Sequence, residues 1–567
     1  MERKLNPFEV NLRTRLESGE LQLPQNPVLK VWELPGTPAD RDARYRGQLP
    51  AEVSRYLQPH QRVVDIQYPS VEFPPAPLEA LDICMKAAHA PTPDQIGRHG
   101  PTVASVNPLE DSGERSRYEA QHGRDDLQAA EDLEDDFPAL GDATIRTLAE
   151  SQGVEDEPNI PGMPFRQEKE GSIILLNLPE DDPLARKFSL VGGWGYPRYT
   201  SADAPGAFIN FLARKYDKDN SYPLRHNYDA RDGQSYPYTK AFERSVQWLL
   251  DRTAENPEGL VEYKMYPYGG MRHQGWRDSA SALLHKDGTW ADSENGLAAI
   301  DVQAISYDAL MNAARIFRDL YRDDKTASLL EERAWNLQKF VIDNGMAGGH
   351  LVSGWDHHDD GRFRQIGTMT SAVGRVLKTG LLKGDSPQLQ ELVRDNIRAL
   401  MSPDMLTRWG VRTMSQAEVG YVPFSYHVGP IWLHDSNENA AAMSSHGFYG
   451  LDRMVGATTA NQHDATGLFY EHISGYDTAE PHVPSRDTYV YDELHDELFL
   501  FEQVPPMAQT WAATTEYAKQ RRYQRIPPHA IDIAKLQFER SVWKTLPDHI
   551  QAVVGKYQPE TAAALSR

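Results

Sequence analysis

Residues 186–567 predict an all-α domain, preceded over residues 1–185 by an irregular region with a few strands. From about Arg186 onward, apolar residues recur three or four apart, which is the period of one helix face. Between those stretches lie Gly-, Pro- and Asp-rich segments, which break helices and form loops. The first 185 residues differ. Prolines recur from Pro7 to Pro77 and the helical period is weak.

In that first region two runs read as strands, Val28 to Leu34 and Arg62 to Tyr68. A polar stretch from Gly100 to Asp136 contains the acidic run Glu131 to Asp136, expected as a solvated helix face or loop. Helices are then predicted over 203–216, 239–253, 297–322, 325–343, 367–382, 386–401, 436–455, 506–520 and 530–540. The third is the clearest: Ala299, Val302, Ile305, Ala309, Ala313, Ile316 and Leu320 line one face.

Lys and Arg total 59 against 82 Asp and Glu, a formal charge of −23. The field of such a chain repels nucleic acid and anionic membranes and admits a neutral ligand such as a carbohydrate. A single cysteine, Cys84, excludes an intrachain disulfide, multi-cysteine metal sites and dithiol redox chemistry. The polar opening from Met1 to Pro7 lacks an apolar signal core, and no 18-residue apolar run follows, so the expected location is the cytoplasm.

Four segments concentrate chemistry. Gly192 to Pro205 holds Trp194, Tyr196, Tyr199 and Asp203, and reads as a pocket-lining loop or a tight turn; Ser201 or Asp203 is placed to cap the helix that follows. Glu262 and Tyr263 lead into His273-Gln-Gly-Trp-Arg-Asp-Ser279, with Gln303 further on. There Asp278 sits beside Gln274, Trp276 and Arg277. A carboxyl against an aromatic ring in a low dielectric has its pKa raised and can donate a proton near neutrality; alternatively Asp278 caps a helix. The third segment runs from Arg408 to Asp435 and packs Tyr426, His427, Trp432, His434 and Asp435 together, a mixture that hydrogen-bonds hydroxyls and stacks on rings. The fourth holds Glu471 among apolar and aromatic neighbours, followed by Trp511. Glu471 is the partner carboxylate for Asp278, or a buried Glu paired to an arginine; Glu480, Asp487 and Glu502 are rivals.

Other chemistry lacks its signature. His427 and His434 lie seven apart in a Gly-Pro loop, which is no metal-ligand spacing, and His357 to Asp360 reads as a solvated turn. No nucleophile elbow, phosphate loop, dinucleotide fingerprint or His-Glu-x-x-His occurs.

Taken in order, these segments resemble the catalytic domain of glycogen-debranching amylo-α-1,6-glucosidases and their relatives, which include oligosaccharide α-glucosidases and hydrolases of mannosylglycerate or glucosylglycerate. The resemblance rests on Gly259-Leu-Val-Glu-Tyr263, His273-Gln-Gly-Trp-Arg-Asp-Ser279, Asp301-Val-Gln303, Trp409-Gly-Val-Arg-Thr-Met-Ser415 and Ser425-Tyr-His-Val-Gly-Pro-Ile-Trp-Leu-His-Asp435, and covers roughly residues 190–520. It implies an (α/α)6 toroid of the six-hairpin glycosidase type, filling residues 186–567 with the site at one mouth. It implies an inverting, exo-acting α-glycoside hydrolase that releases a terminal glucose-like sugar from a neutral oligosaccharide or small glycoside, without a cofactor. Asp278 matches the general acid and Glu471, more loosely, the base, with a carboxyl separation of roughly 6.5–9.5 Å. The other residues named in the four segments would contact substrate. The sequence departs from the group at Asp301, Leu433 and Tyr470, and Thr200-Ser-Ala-Asp-Ala204 lacks the arginine of the group's Gly-Arg-Asp element. The alternative is a phosphorolytic or non-catalytic carbohydrate-binding relative on the same toroid.

Overall fold

The computed structural model describes residues 29–32, 61–66, 105–106, 121–136, 138–156, 167–177, 197–265, 271–279, 281–423, 425–466, 469–481, 488–492, 497–500, 508–525 and 532–567. Helix dominates. In chain order the helices are α1 (Gly123–Leu133), α2 (Pro138–Glu150), α3 (Ala204–Lys218), α4 (Tyr222–Arg225), α5 (Tyr238–Ala254), α6 (Ile300–Ile316), α7 (Asp324–Asn344), α8 (Ala372–Lys378), α9 (Pro387–Leu400), α10 (Leu433–Ser445), α11 (Tyr449–Thr466), α12 (Thr510–Arg525), α13 (Ile533–Trp543), α14 (Asp548–Tyr557) and α15 (Pro559–Ser566).

Six of them close a ring. α1 packs on α3, α3 on α6, α6 on α8, α8 on α10, α10 on α12, and α12 returns to α1. Outside it, α2 packs on α1, α5 on α3, α7 on α6, α9 on α8 and α11 on α10, with α13–α15 against α11. This is the helical toroid that the resemblance implied.

The two layers have different sequence logic. In outer α7 the buried residues are Ala327, Leu330, Ala334, Leu337 and Val341, one stripe at three- and four-residue spacing. Asp323 caps it by accepting from the Thr326 amide at 3.0 Å. Inner α10 is buried on nearly every side, including Ser436, Asn437, Glu438 and Asn439. A helix surrounded by other helices needs no polar face, so its period is weak.

Several expectations require correction. The ring begins before residue 186: α1 lies in the segment read as accessory, yet it is the inner helix that closes the toroid. The acidic run Glu131 to Asp136 is only in part a solvated face: Asp135 is exposed and Glu131 and Asp136 half-buried. Glu134 is buried and pairs with Lys215 at 2.7 Å, and Asp136 and Asp135 pair with Arg521 and Arg525 of α12, each at 2.7 Å. The two pairs to α12 join the two ends of the ring. The helix predicted over 436–455 is two helices, broken at His446-Gly447-Phe448, where Gly447 has φ +78°. The one over 367–382 starts only at Ala372, because Thr370 bridges Met414 in an extended pairing.

Strand Leu29–Trp32 falls within the first predicted β run and Gln61–Ile66 overlaps the second; they pair antiparallel, and Thr488–Asp492 and Glu497–Leu500 extend that sheet. Among the described residues no helix is long and apolar enough to cross a membrane.

Candidate active site

Polar residues collect where the inner helices begin. Arg124 lies in the first turn of α1, Asp203 immediately precedes α3, Asp301 opens α6, Ser371 precedes α8, and His434 and Asp435 open α10. Contacts among these starts put them at one mouth. Arg124 Nε donates to Asp203 Oδ2 at 2.6 Å, and Arg375 Nε lies 3.6 Å from Asp435 Oδ1.

Asp278 stands on the long loop before α6, and no helix starts there, which removes the capping role. About a quarter of its side chain (26 %) stays exposed, while protein encloses the rest. Burial pushes its carboxyl up to about 7; Arg124, whose Nη1 lies 3.7 Å from Oδ2, opposes the shift, and Asp125 and Asp203 reinforce it. The next amide, of Ser279, donates to His427 Nδ1 at 3.2 Å. Burial, with Arg277, His472, Arg124 and His273 nearby, holds His427 far below the usual imidazole range, so its ring is neutral and carries its proton on Nε2.

An aromatic box continues from there. His427 stacks on Trp432 at 5.0 Å, Trp276 meets both edge-on at 5.3 and 5.6 Å, and Tyr426 meets Trp432 edge-on at 4.7 Å. The Tyr426 hydroxyl donates to Glu471 Oε1. Glu471 is 1 % exposed and heads the strand His472–Ile473, which pairs with Ile431–Trp432. Asp278, His427, Trp276, Trp432, Tyr426 and Glu471 thus form one contiguous cluster.

The segment Trp409 to Ser415 explains how the Glu471 loop is held. Arg412 Nε donates to the Gly475 carbonyl at 2.7 Å, and Trp409 Nε1 to the Thr478 carbonyl at 2.9 Å. Arg408 donates through its amide and Nε to Asp477. Gly475 and Gly429 meet backbone to backbone, and a Cβ on Gly475 would sit 2.0 Å from the Gly429 carbonyl oxygen, so only glycine fits. This crossing brings the Tyr426 loop against the Glu471 loop.

Beneath the box lies a charged floor. Arg277 is buried, and that burial depresses its pKa against the pull of Asp301 and Asp435. Both carboxyls are in turn raised by burial. The Arg375 guanidinium covers the Trp276 ring at 4.4 Å. Trp276 is 2 % exposed and forms a wall of the site.

Other expected contacts are occupied by the protein itself. Gln303 is buried and bonds Val261 N, Val261 O and Ala299 O, clamping the loop to α6. Gln274 donates to Gln167 and the Lys264 carbonyl. The Tyr199 hydroxyl donates to the Ser151 carbonyl and accepts from Arg231. Glu262 binds His357 Nε2 at 2.7 Å. His434 accepts from Arg375 Nη2 at 2.7 Å and is buried, its pKa lowered by that burial and by Arg375. Tyr263 is buried, with burial and Asp301 raising its pKa. Trp194, Tyr196 and the rivals Asp487 and Glu502 lie outside the described residues, as does the side chain of Trp511; Glu480 is exposed. His357 to Asp360 forms the tip of a strand hairpin, and among the described residues no cluster of three or more His, Cys, Asp or Glu is arranged to hold a metal ion.

Sequence reasoning missed Arg124, Ser371 and Arg375. The signal for Arg124 was present: Gly123-Arg124-Asp125 is a literal Gly-Arg-Asp element at the start of a ring helix. Asp203 takes the cap position but makes no capping bond; its carboxylate is taken by Arg124 and Ser201.

No protein-family model matches the chain and no curated protein matches it in sequence. Similar solved structures include one described as "Glycosidase Wild Type" (15 % identity, TM-score 0.45, 79 % of this chain and 98 % of that one). A GH63 mannosylglycerate hydrolase from Thermus thermophilus in complex with glucose is similar at 15 % identity and TM-score 0.47, over 79 % and 100 %. The neutral trehalase Nth1 from Saccharomyces cerevisiae is similar at 11 % identity and TM-score 0.46, over 82 % and 83 %.

Proposed function

We propose that this chain hydrolyses glycosides with inversion, with Asp278 as general acid and Glu471 as general base. The observation that carries the reading is Asp278 itself: a mouth-facing carboxyl with no capping duty, raised to about 7 and still reached by solvent. Such a group is protonated below neutrality and can give its proton to a glycosidic oxygen as the C–O bond breaks. A water on the opposite face of the ring attacks the anomeric carbon, and Glu471, oriented by the Tyr426 hydroxyl, takes that water's proton. The proton balance then closes when bulk solvent returns a proton to Asp278 and removes one from Glu471.

The substrate class we favour is a neutral oligosaccharide or small glycoside ending in an α-linked glucose-like sugar, cleaved at that end. The net charge of −23 is compatible with an uncharged substrate. A released-sugar screen over α-glucosides and α-mannosides, with proton NMR of the first product, tests the reading. Release of the β-anomer before mutarotation is expected. Initial α-anomer would require a covalent intermediate and remove Glu471 from the base role; dependence of turnover on inorganic phosphate would indicate phosphorolysis.

A further inference from the structure

Arg124 is bound on one side and open on the other. Nε donates to Asp203 Oδ2 at 2.6 Å and Nη2 to Ser201 Oγ at 3.2 Å, while Ser201 donates to Asp203 Oδ1 at 2.7 Å. The third nitrogen, Nη1, faces Asp278 at ion-pair distance, 3.7 Å from Oδ2. Burial disfavours the Arg124 cation, but Asp203 and Asp278 outweigh it, so the guanidinium stays charged. The fork is rigid and planar, so the two bonds on one side fix the direction of the third nitrogen.

We propose that Arg124, resting on the acid role assigned above, is the positioning residue of Asp278: anchored by Asp203 and Ser201, it aims the carboxyl and stabilises its ionised form. The need for it is physical. A buried carboxyl beside Asp125 and Asp203 would hold its proton too tightly to release it in each cycle. Among the described residues, the charged and titratable groups around Asp278 are Arg124 and Asp125 from α1, Asp203 from the loop before α3, and His427, neutral, on the adjoining amide. Arg124 is the one among them that favours the carboxylate. α1 therefore does more than close the ring; it supplies the charge that sets when the acid is loaded.

The test uses Arg124→Gln and Arg124→Lys in the full chain, with two readouts. Infrared difference spectra against Asp278→Asn follow the Asp278 carboxyl through pH without any substrate. The alkaline limb of kcat/KM follows it during turnover. Arg124→Gln is expected to raise the Asp278 midpoint by at least one pH unit, carry the alkaline limb upward with it, and lower kcat at least tenfold. Arg124→Lys keeps the charge but not the fork. It should leave the midpoint within about half a unit of the parent while kcat still falls. An unmoved midpoint in Arg124→Gln, with lowered thermal stability only, would make Arg124 mere glue between α1 and α3. If Arg124→Gln does not fold, Arg124→Lys with the parent kcat overturns the proposal. Should the parent protein hydrolyse nothing, the infrared titration still decides the link between Arg124 and Asp278, separately from the catalytic reading.

Discussion

The two carboxylates of the mouth are held in opposite ways. Asp278 sits on a long loop, partly open to solvent, and is governed by charge: burial and two aspartates raise its pKa, and an arginine from another helix restrains it. Glu471 heads a short strand, is fully buried, and is governed by geometry: a tyrosine hydroxyl binds one oxygen, while Arg412 and a glycine crossing clamp its loop. The same functional group thus meets two different environments, which suit the two proposed roles. The acid side should respond to changes of charge and solvation, and the base side to changes of position.

Replacing Asp278 by Asn gives the largest expected effect, a loss of about 10³-fold or more in kcat on natural glycosides, since the amide has no proton to give. Glycosides with leaving groups that need no protonation should recover much of that rate, and the fold and sugar affinity should be retained. A parent-level rate on natural substrates would end the acid assignment. Glu471→Gln should cost about 10²–10⁴-fold, with azide partly replacing the activated water. No azide response together with unchanged turnover would return Glu471 to a structural role.

Tyr426→Phe sharpens the contrast. It removes one hydrogen bond to a carboxylate, worth about 1.5–3 kcal/mol, so kcat should drop about ten- to hundredfold. Because the acid is untouched, the alkaline limb should not move. Trp276→Ala does the reverse. Water reaches the floor beneath the acid, the burial that raises Asp278 weakens, and the alkaline limb should shift to lower pH. Lost packing should also cost about 3–5 kcal/mol of stability.

The smallest effect is on stability. The folded-state pKa of Asp278 lies above its ordinary value, so its contribution favours folding least at high pH: stability declines as pH rises from the ordinary carboxyl range through about 7. Asp278→Asn removes the burden, so its melting temperature should exceed the parent's by a few degrees at pH 8 and match it near pH 4. Equal melting curves at pH 8 would mean that the ionised carboxyl is well solvated.

Much of the outer layer was legible because those helices meet solvent on one side, so their apolar residues keep the 3.6 period, as in α7 and α9. Inner α3 and α6 were legible too, but two other inner helices were harder. α10 buries polar residues all round and its break at Gly447 was missed; α1, short and rich in acids, looked like a solvated stretch. Asp278, Tyr426, His427 and Glu471 stood out because each lies in a dense local cluster of glycine, aromatic and polar residues. The backbone bonds of Gln303 and Gln274 were not legible, since an amide that clamps backbone looks the same in sequence as one that binds a hydroxyl.

By itself, then, the sequence determined where most of the helices after residue 186 run and which carboxylates stand in the motif-bearing loops, both consequences of short-range pattern. Only the tertiary structure decided which charges meet. Arg124 finds Asp203 across 79 positions, Tyr426 finds Glu471 across 45, and Arg525 finds Asp135 across 390. Ring closure sets those encounters, and with them the burial and fields that raise the Asp278 carboxyl to about 7. Electrostatic environment depends on distance in space, which chain order does not encode.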